Sequence, residues 1–229
     1  MKIRTIEELQ NILDDDFAWR RKELSQIYTS IAAAKSVQKN TNIRIGIVML
    51  YAHWEGFVKK AADSYLTYIA CKRLNYSQLA NNIIAICLKS DLSLYQETNK
   101  NAIHIKMVEF LTDQLNTRAK VPTDDIINTQ SNLSSAIFKE ILSIVGVDYT
   151  PYELKEKFID LQLLKIRNSV AHGQDPELKE IEFSALYSEI TSLMGSLKIE
   201  LLNNAVQAKF KRKLTDLRFT IRTSPLLVA

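Results

Sequence analysis

Only five glycines and four prolines interrupt 229 residues. A many-stranded fold needs a turn every few residues, and turns draw on glycine and proline. So few breakers point to long helices joined by few loops. The length suits one large domain, or a core domain with an insertion, rather than two independent ones. With 46% hydrophobic and 24% charged residues, there is enough apolar side chain to close a real core.

Helical periodicity fills in the outline. Residues 5–36 are expected to form one helix, with Ile6, Leu9, Ile12, Leu13, Leu24, Ile27, Tyr28 and Ile31 at helical spacing and Thr5 and Glu8 spaced as a capping box. Residues 42–74 form a second, more apolar helix carrying Ile43, Ile47, Leu50, Trp54, Phe57, Val58, Ala61 and Tyr65, which should lie deep in the core or in a subunit interface. Shorter helices are expected at 77–88 and 103–115, with loops at 89–101 and 117–130. A helix at 132–145 places Ile137, Ile141 and Leu142 on one side and ends on Gly146. Thr150 and Pro151 read as cap and first residue of a helix running to His172, with Leu154, Phe158, Leu161, Leu164 and Ile166 along it. Gly173 closes that helix, Asp175-Pro176 opens the next element in the same manner, and the last long helix covers 183–208.

The formal charge is +4, and its surplus sits at the end of the chain. There Lys209, Lys211, Arg212, Lys213, Arg218 and Arg222 stand against Asp216 alone. Such a tail is either a solvated extension or a contact for a phosphate backbone. Cys71 and Cys87 form no CxxC, so they suggest neither a zinc site nor a disulfide scaffold. The N-terminus lacks the apolar run of a signal peptide and no apolar stretch is long enough to span a bilayer, so a cytoplasmic location is expected.

Chemistry concentrates in KIRNSVAHG. Arg167, Asn168 and His172 fall within six residues, just before a glycine. A guanidinium can grip a phosphate through two parallel hydrogen bonds. An imidazole titrates near neutrality and can move a proton, and a side-chain amide can orient either. The trio suits RNA cleavage with the 2′-hydroxyl as internal nucleophile, a reaction that requires no metal or cofactor. Five residues in a regular helix amount to about 140° of rotation, so Arg167 and His172 diverge unless the helix end is distorted near Gly173 or the site is shared between two copies. A purely structural account also exists: His172 would favour the negative end of the helix dipole and Arg167 would pack its stem on the surface.

RNSVAHG resembles the Arg-x4–6-His signature of the HEPN superfamily. The likeness extends through NLSSAIFKEILSIVGVDYTP and ELKEKFIDLQLLKI, and to LYAHWEGFVKKAADSYL in the second helix. It implies an all-α, HEPN-like helical bundle over residues 1–208, with long core helices and a helical insertion at about 75–130, followed by a basic tail at 209–229. It also implies a homodimer with the motif of each subunit at the interface, and metal-independent endoribonuclease activity. Arg167 would bind the scissile phosphate, His172 would transfer protons and Asn168 would orient. Glu55, acidic in an apolar helix, is a candidate supporting residue with Arg167 or His172 as partner, or else a member of an exposed stripe. His53 and His104 receive no role. Some HEPN toxins carry a tyrosine two residues after the motif histidine, which a partner enzyme modifies; Gln174 stands there in this chain, which argues against that control.

The expected function is therefore a toxin or defence ribonuclease acting on RNA, with an antitoxin or defence-system partner protein. The alternative is a non-catalytic dimer that binds nucleotide, RNA or a protein. A third reading is a helical scaffold in which the motif is coincidental.

Overall fold

Thr5 does cap the first helix. Its hydroxyl accepts from the Glu8 amide, and the Glu8 carboxylate reaches back to the Thr5 amide, which satisfies free donors at both ends of the box. Helix α1 (Ile6–Ala33) follows. The computed structural model describes residues 2–89, 101–174, 176 and 179–213. After α1 the chain turns at Ala34 and Lys35, both extended, and α2 (Ser36–Cys71) begins six residues earlier than the apolar pattern suggested. Asn42 is thus inside the helix, not at its start.

Helices α1 and α2 pack against each other and against α7 (Glu180–Val206). All eight apolar residues singled out on α2 are buried, from Ile43 to Tyr65. From α1 come Leu9, Leu13, Leu24 and Ile31, and from α7 Phe183, Ile190, Met194, Leu197 and Leu201. Each such side chain removed from water stabilises the fold by about 2 kcal/mol. Gly46 is what lets α2 approach so closely: a Cβ there would lie 2.7 Å from the Phe183 ring and 2.9 Å from Ile31.

Smaller elements lean on this trio. Tyr76–Gln78 forms a 3-10 turn and α3 spans Asn81–Cys87, together replacing the single expected helix at 77–88. Helix α4 (Asn101–Glu109) passes into a π-helical turn, Phe110–Gln114. Helix α5 (Ser135–Val145) starts on the Ser134 cap and ends on Gly146 at φ +70°, the left-handed conformation that glycine adopts without steric cost. Seven α-helices and no strand occur among the described residues. The loop expected at 89–101 and the Asp175-Pro176 junction fall mostly outside them.

The segment before the motif departs most from expectation. Instead of one α-helix from 151 to 172, the chain forms a 3-10 helix (Thr150–Lys155), a π-helix (Phe158–Leu164) and the short α6 (Lys165–Ala171). A change of helical period rotates the buried face. Leu154 is 93% and Leu161 56% exposed, whereas Ile159 and Leu163, outside the expected stripe, are buried. An anchor lies within the π-helix: both Asp160 carboxylate oxygens accept from Ser135, one from its amide at 2.7 Å and one from its hydroxyl at 2.6 Å. That carboxylate ties the π segment to the N-terminus of α5, where orphan amides favour a negative charge.

The start of the basic tail is packed. Phe210 is buried, its carbonyl accepts from the Ala80 amide, and Arg212 donates to Asn81. Residues 214–229 lie outside the described part.

Candidate functional site

Tyr51 and Glu55 stand one turn apart on α2, facing α6 and the extended segment between α4 and α5. Arg167, on α6, lays its guanidinium over the Tyr51 ring with 3.8 Å from carbon to ring centroid. One of its terminal nitrogens donates to the Ser131 carbonyl at 3.1 Å. Its Nε is buried and has no hydrogen-bond partner. The Tyr51 hydroxyl in turn accepts from the Leu133 amide at 2.5 Å. Burial pushes the Tyr51 phenol up, and the Arg167 guanidinium beside it works against that rise.

The covering segment is held under strain. Gln130 and Ser131 are consecutive non-glycine residues at φ +53° and +60°, a conformation that costs roughly 1–2 kcal/mol each. Neighbouring contacts hold it in place: the Gln130 amide donates to the Asn128 side chain, Leu133 to Tyr51, and Arg167 to Ser131. Beside them Thr129 donates its hydroxyl to the Glu55 carboxylate at 2.5 Å. Glu55 is half-buried, so the exposed stripe is corrected. Its hydrogen-bond partner is Thr129, and neither Arg167 nor His172 pairs with it.

His172 is the C-cap of α6 and is exposed. Its amide donates to the Asn168 carbonyl at 2.9 Å. Gly173 follows at φ +76°, and the Gln174 amide donates back to Ser169, closing the helix as the glycine suggested. Arg44 on α2 donates to the Gln174 carbonyl at 3.0 Å, which fastens this turn to the core. Helix α6 is regular through Ala171, so the distortion expected near Gly173 comes too late to swing His172 toward Arg167. The two side chains do not hydrogen-bond to each other. Asn168 is half-buried beside Arg167 in sequence. Thus one chain gathers Arg167, Tyr51, Ser131 and the Glu55–Thr129 pair, and presents His172 elsewhere on the same helix.

Next to α6 lies a cleft of about 370 Å³, lined by Thr41, Arg44, Ile45, Val48, Met49 and Val170. Ile45 is 55% exposed at its edge. His53, one residue before Trp54, belongs to a different cluster. It is buried, with Nε2 2.9 Å from the Glu23 carboxylate. Burial lowers its pKa, against the opposing pull of Glu23. No group of three or more His, Cys, Asp or Glu residues arranged to hold a metal occurs among the described residues. Cys71 and Cys87 are free thiols, both half-buried. No helix among the described residues is long and apolar enough to cross a membrane.

Sequence reasoning missed Tyr51 and the Ser131–Leu133 backbone. Tyr51 precedes Glu55 by four residues in LYAHWEGF, so the helical period already placed it on the face of the acid. Nothing in the sequence indicated that the segment at 128–133 would fold onto that face.

The profile of the family described as RiboL-PSP-HEPN matches residues 15–203. No curated protein and no solved structure matches the chain.

Proposed function

The chain belongs to the RiboL-PSP-HEPN family, within the HEPN superfamily, and from that membership we infer that it is a metal-independent endoribonuclease acting as a toxin or defence effector. The observation that carries the reading is the state of Arg167. Its guanidinium is stacked, oriented by one carbonyl, and met by no carboxylate among the described residues. A half-buried cation without a counter-ion is poised for an incoming anion, because desolvation strengthens the attraction that a phosphate would supply.

In the proposed reaction Arg167 binds the non-bridging oxygens of the scissile phosphate. His172 takes the proton from the ribose 2′-hydroxyl, whose oxygen attacks phosphorus. The bond to the 5′-oxygen breaks, the proton carried by the His172 imidazolium passes to that leaving oxygen, and a 2′,3′-cyclic phosphate remains. Asn168 orients one of these partners. Because Arg167 and His172 diverge around α6, the site is completed by a second copy, with Arg167 of one protomer working beside His172 of the other. The apolar cleft edged by Ile45 and Val170 supports a subunit contact close to the motif.

The test is cleavage of total tRNA and of mRNA in EDTA by wild type, Arg167→Ala and His172→Ala. Cleavage by wild type alone, leaving a cyclic phosphate, is the expected result. RNA left intact by a folded wild-type dimer would overturn the catalytic reading.

One observation favours a second reading, a non-catalytic dimer that binds RNA, nucleotide or a partner protein. The His172 side chain has no hydrogen-bond partner among the described residues, whereas a catalytic base is normally oriented by one. Binding without turnover, lost in Arg167→Ala, would establish it.

A further inference from the structure

At the far end of α2, three separate stretches of chain bring four cations to one cleft. Its volume is about 210 Å³, and its lining includes Lys2, Arg4, Arg73, Arg118, Thr67 and Thr123. All four cations are exposed, and none takes part in an ion pair among the described residues. We propose that this cleft is a second phosphate-binding site, one that holds the RNA backbone at a distance from the scissile bond. The proposal rests on RNA being the ligand of the Arg167 site.

The cations are held on fastened backbone. Between Lys2 and Arg4, Ile3 is buried in the core, which turns its two neighbours outward. The Arg4 carbonyl accepts from the Lys72 ammonium at 2.9 Å, tying the N-terminal arm to the end of α2. Arg118 sits in a short antiparallel bridge to Asn75, with the Ala119 amide donating to Leu74 and the Tyr76 amide to Thr117. Arg73 adopts φ +55° just after the helix cap. That position normally falls to glycine, since any Cβ there is strained. An arginine at a glycine position means that the backbone gains nothing from this side chain.

The acids nearby are otherwise engaged or lie to one side. The Glu8 carboxylate accepts from the Arg4 and Thr5 amides in the cap of α1, and it also feels the charges of Arg4 and Lys72. Asp63 lies one turn before Thr67 and interacts with Lys59, Lys60, Asp124 and Asp125. No carboxylate is among the lining residues. The helix dipole of α2 also favours positive charge at its C-terminus, but it would account for one or two cations, not for a cleft assembled from three segments.

The two sites are joined. The segment from Arg118 to Leu133 runs back along α2, with Lys120 touching Tyr76, Thr129 touching Glu55 and Leu133 touching Tyr51. Within it lies the Ser131 carbonyl that holds Arg167. Twenty residues of helix separate Tyr51 from Cys71, about 30 Å at 1.5 Å per residue. At about 3.4 Å per stacked nucleotide, that is roughly nine nucleotides. An RNA long enough to reach both sites is gripped at the cleft and presented to the motif.

The experiment measures binding of a labelled single-stranded RNA twenty-mer to the full chain in a His172→Ala background, which prevents cleavage, across a range of salt. The parent is compared with Arg4→Gln/Arg73→Gly/Arg118→Gln and with Arg73→Gly alone. Removing three phosphate contacts should lower the log–log salt slope by about 2 and weaken binding at least tenfold. Arg73→Gly should weaken binding severalfold with an unchanged or higher melting temperature, which a structural role for Arg73 would not produce. If the parent binds and both variants match it, the cleft has no part in RNA binding, while the Arg167 reading stands. If the parent binds no RNA at all, the Arg167 reading fails and the cleft proposal fails with it.

Discussion

Two arginines lean on the same stretch of α2, and they are treated oppositely. Arg20, from α1, is buried. Its guanidinium meets both oxygens of Asp16, at 2.7 and 3.3 Å, and donates to the His53 carbonyl at 3.3 Å. Gly56 makes room for it, since a Cβ there would lie 2.7 Å from an arginine nitrogen. Arg167, from α6, has an aromatic ring below it and one carbonyl beside it, with its Nε unpartnered. Arg20 is neutralised where it stands and serves the fold. Arg167 has no counter-ion among the described residues, and the fold draws from its guanidinium one hydrogen bond to Ser131. A buried cation with its counter-ion supplied marks structure, and one left without marks a place for something that arrives later.

The largest effect that tests this contrast is on stability. Arg20→Ala leaves Asp16 desolvated and unpaired, so unfolding by denaturant should show a loss of about 3 kcal/mol or more. Arg167→Ala should cost less than about 1 kcal/mol while lowering RNA cleavage at least a hundredfold. Equal destabilisation by the two substitutions would erase the distinction. Arg167→Lys should rescue little of the cleavage, since an ammonium neither stacks flat on Tyr51 nor grips phosphate bidentately.

A smaller effect separates the two functions of Tyr51. Tyr51→Phe keeps the ring under Arg167 and removes the acceptor of the Leu133 amide, which should cost about 1 kcal/mol and leave most of the cleavage. Tyr51→Leu removes the stacking face and should lower cleavage about tenfold. If the two variants behave alike, the ring does not position the guanidinium.

The smallest effect concerns a half-buried carboxylate on α2 itself. Burial raises the Asp63 carboxyl from 3.8 to about 6. The folded chain therefore binds more protons than the unfolded chain between these values, and stability contributed by Asp63 falls as pH rises through that window. Asp63→Asn should stabilise the protein by about 1 kcal/mol at pH 8, with the gain vanishing below pH 4. A constant gain across that range would mean that the Asp63 charge is not the cause.

The α2 core shows how far periodicity reaches. Ile43 to Tyr65 are buried as their spacing requires, because one unbroken α-helix has a single period and therefore a single apolar face. The same rule failed at 154–164. There the chain changes from 3-10 to π to α winding, and a stripe computed at one period lands on Leu154 and Leu161, which face water. Asp160 fixes that segment only through Ser135, twenty-five residues earlier, and no local pattern reports such a tie.

For the site, the sequence determined the chemical types and their order. Arg167, Asn168 and His172 were marked by their motif, and Glu55 by being acidic in an apolar helix. A local sequence carries this because helix period, caps and glycine stops act over a few residues. Only the tertiary structure decided which groups meet. It placed Tyr51 under Arg167, turned Glu55 to Thr129, and folded the strained Gln130–Ser131 turn over both. It also gathered Lys2, Arg4, Arg73 and Arg118 into one cationic cleft, although the linear charge pattern pointed to the C-terminal tail. Electrostatic neighbourhood depends on distance in space, and residues more than a hundred positions apart become neighbours only when the helices pack.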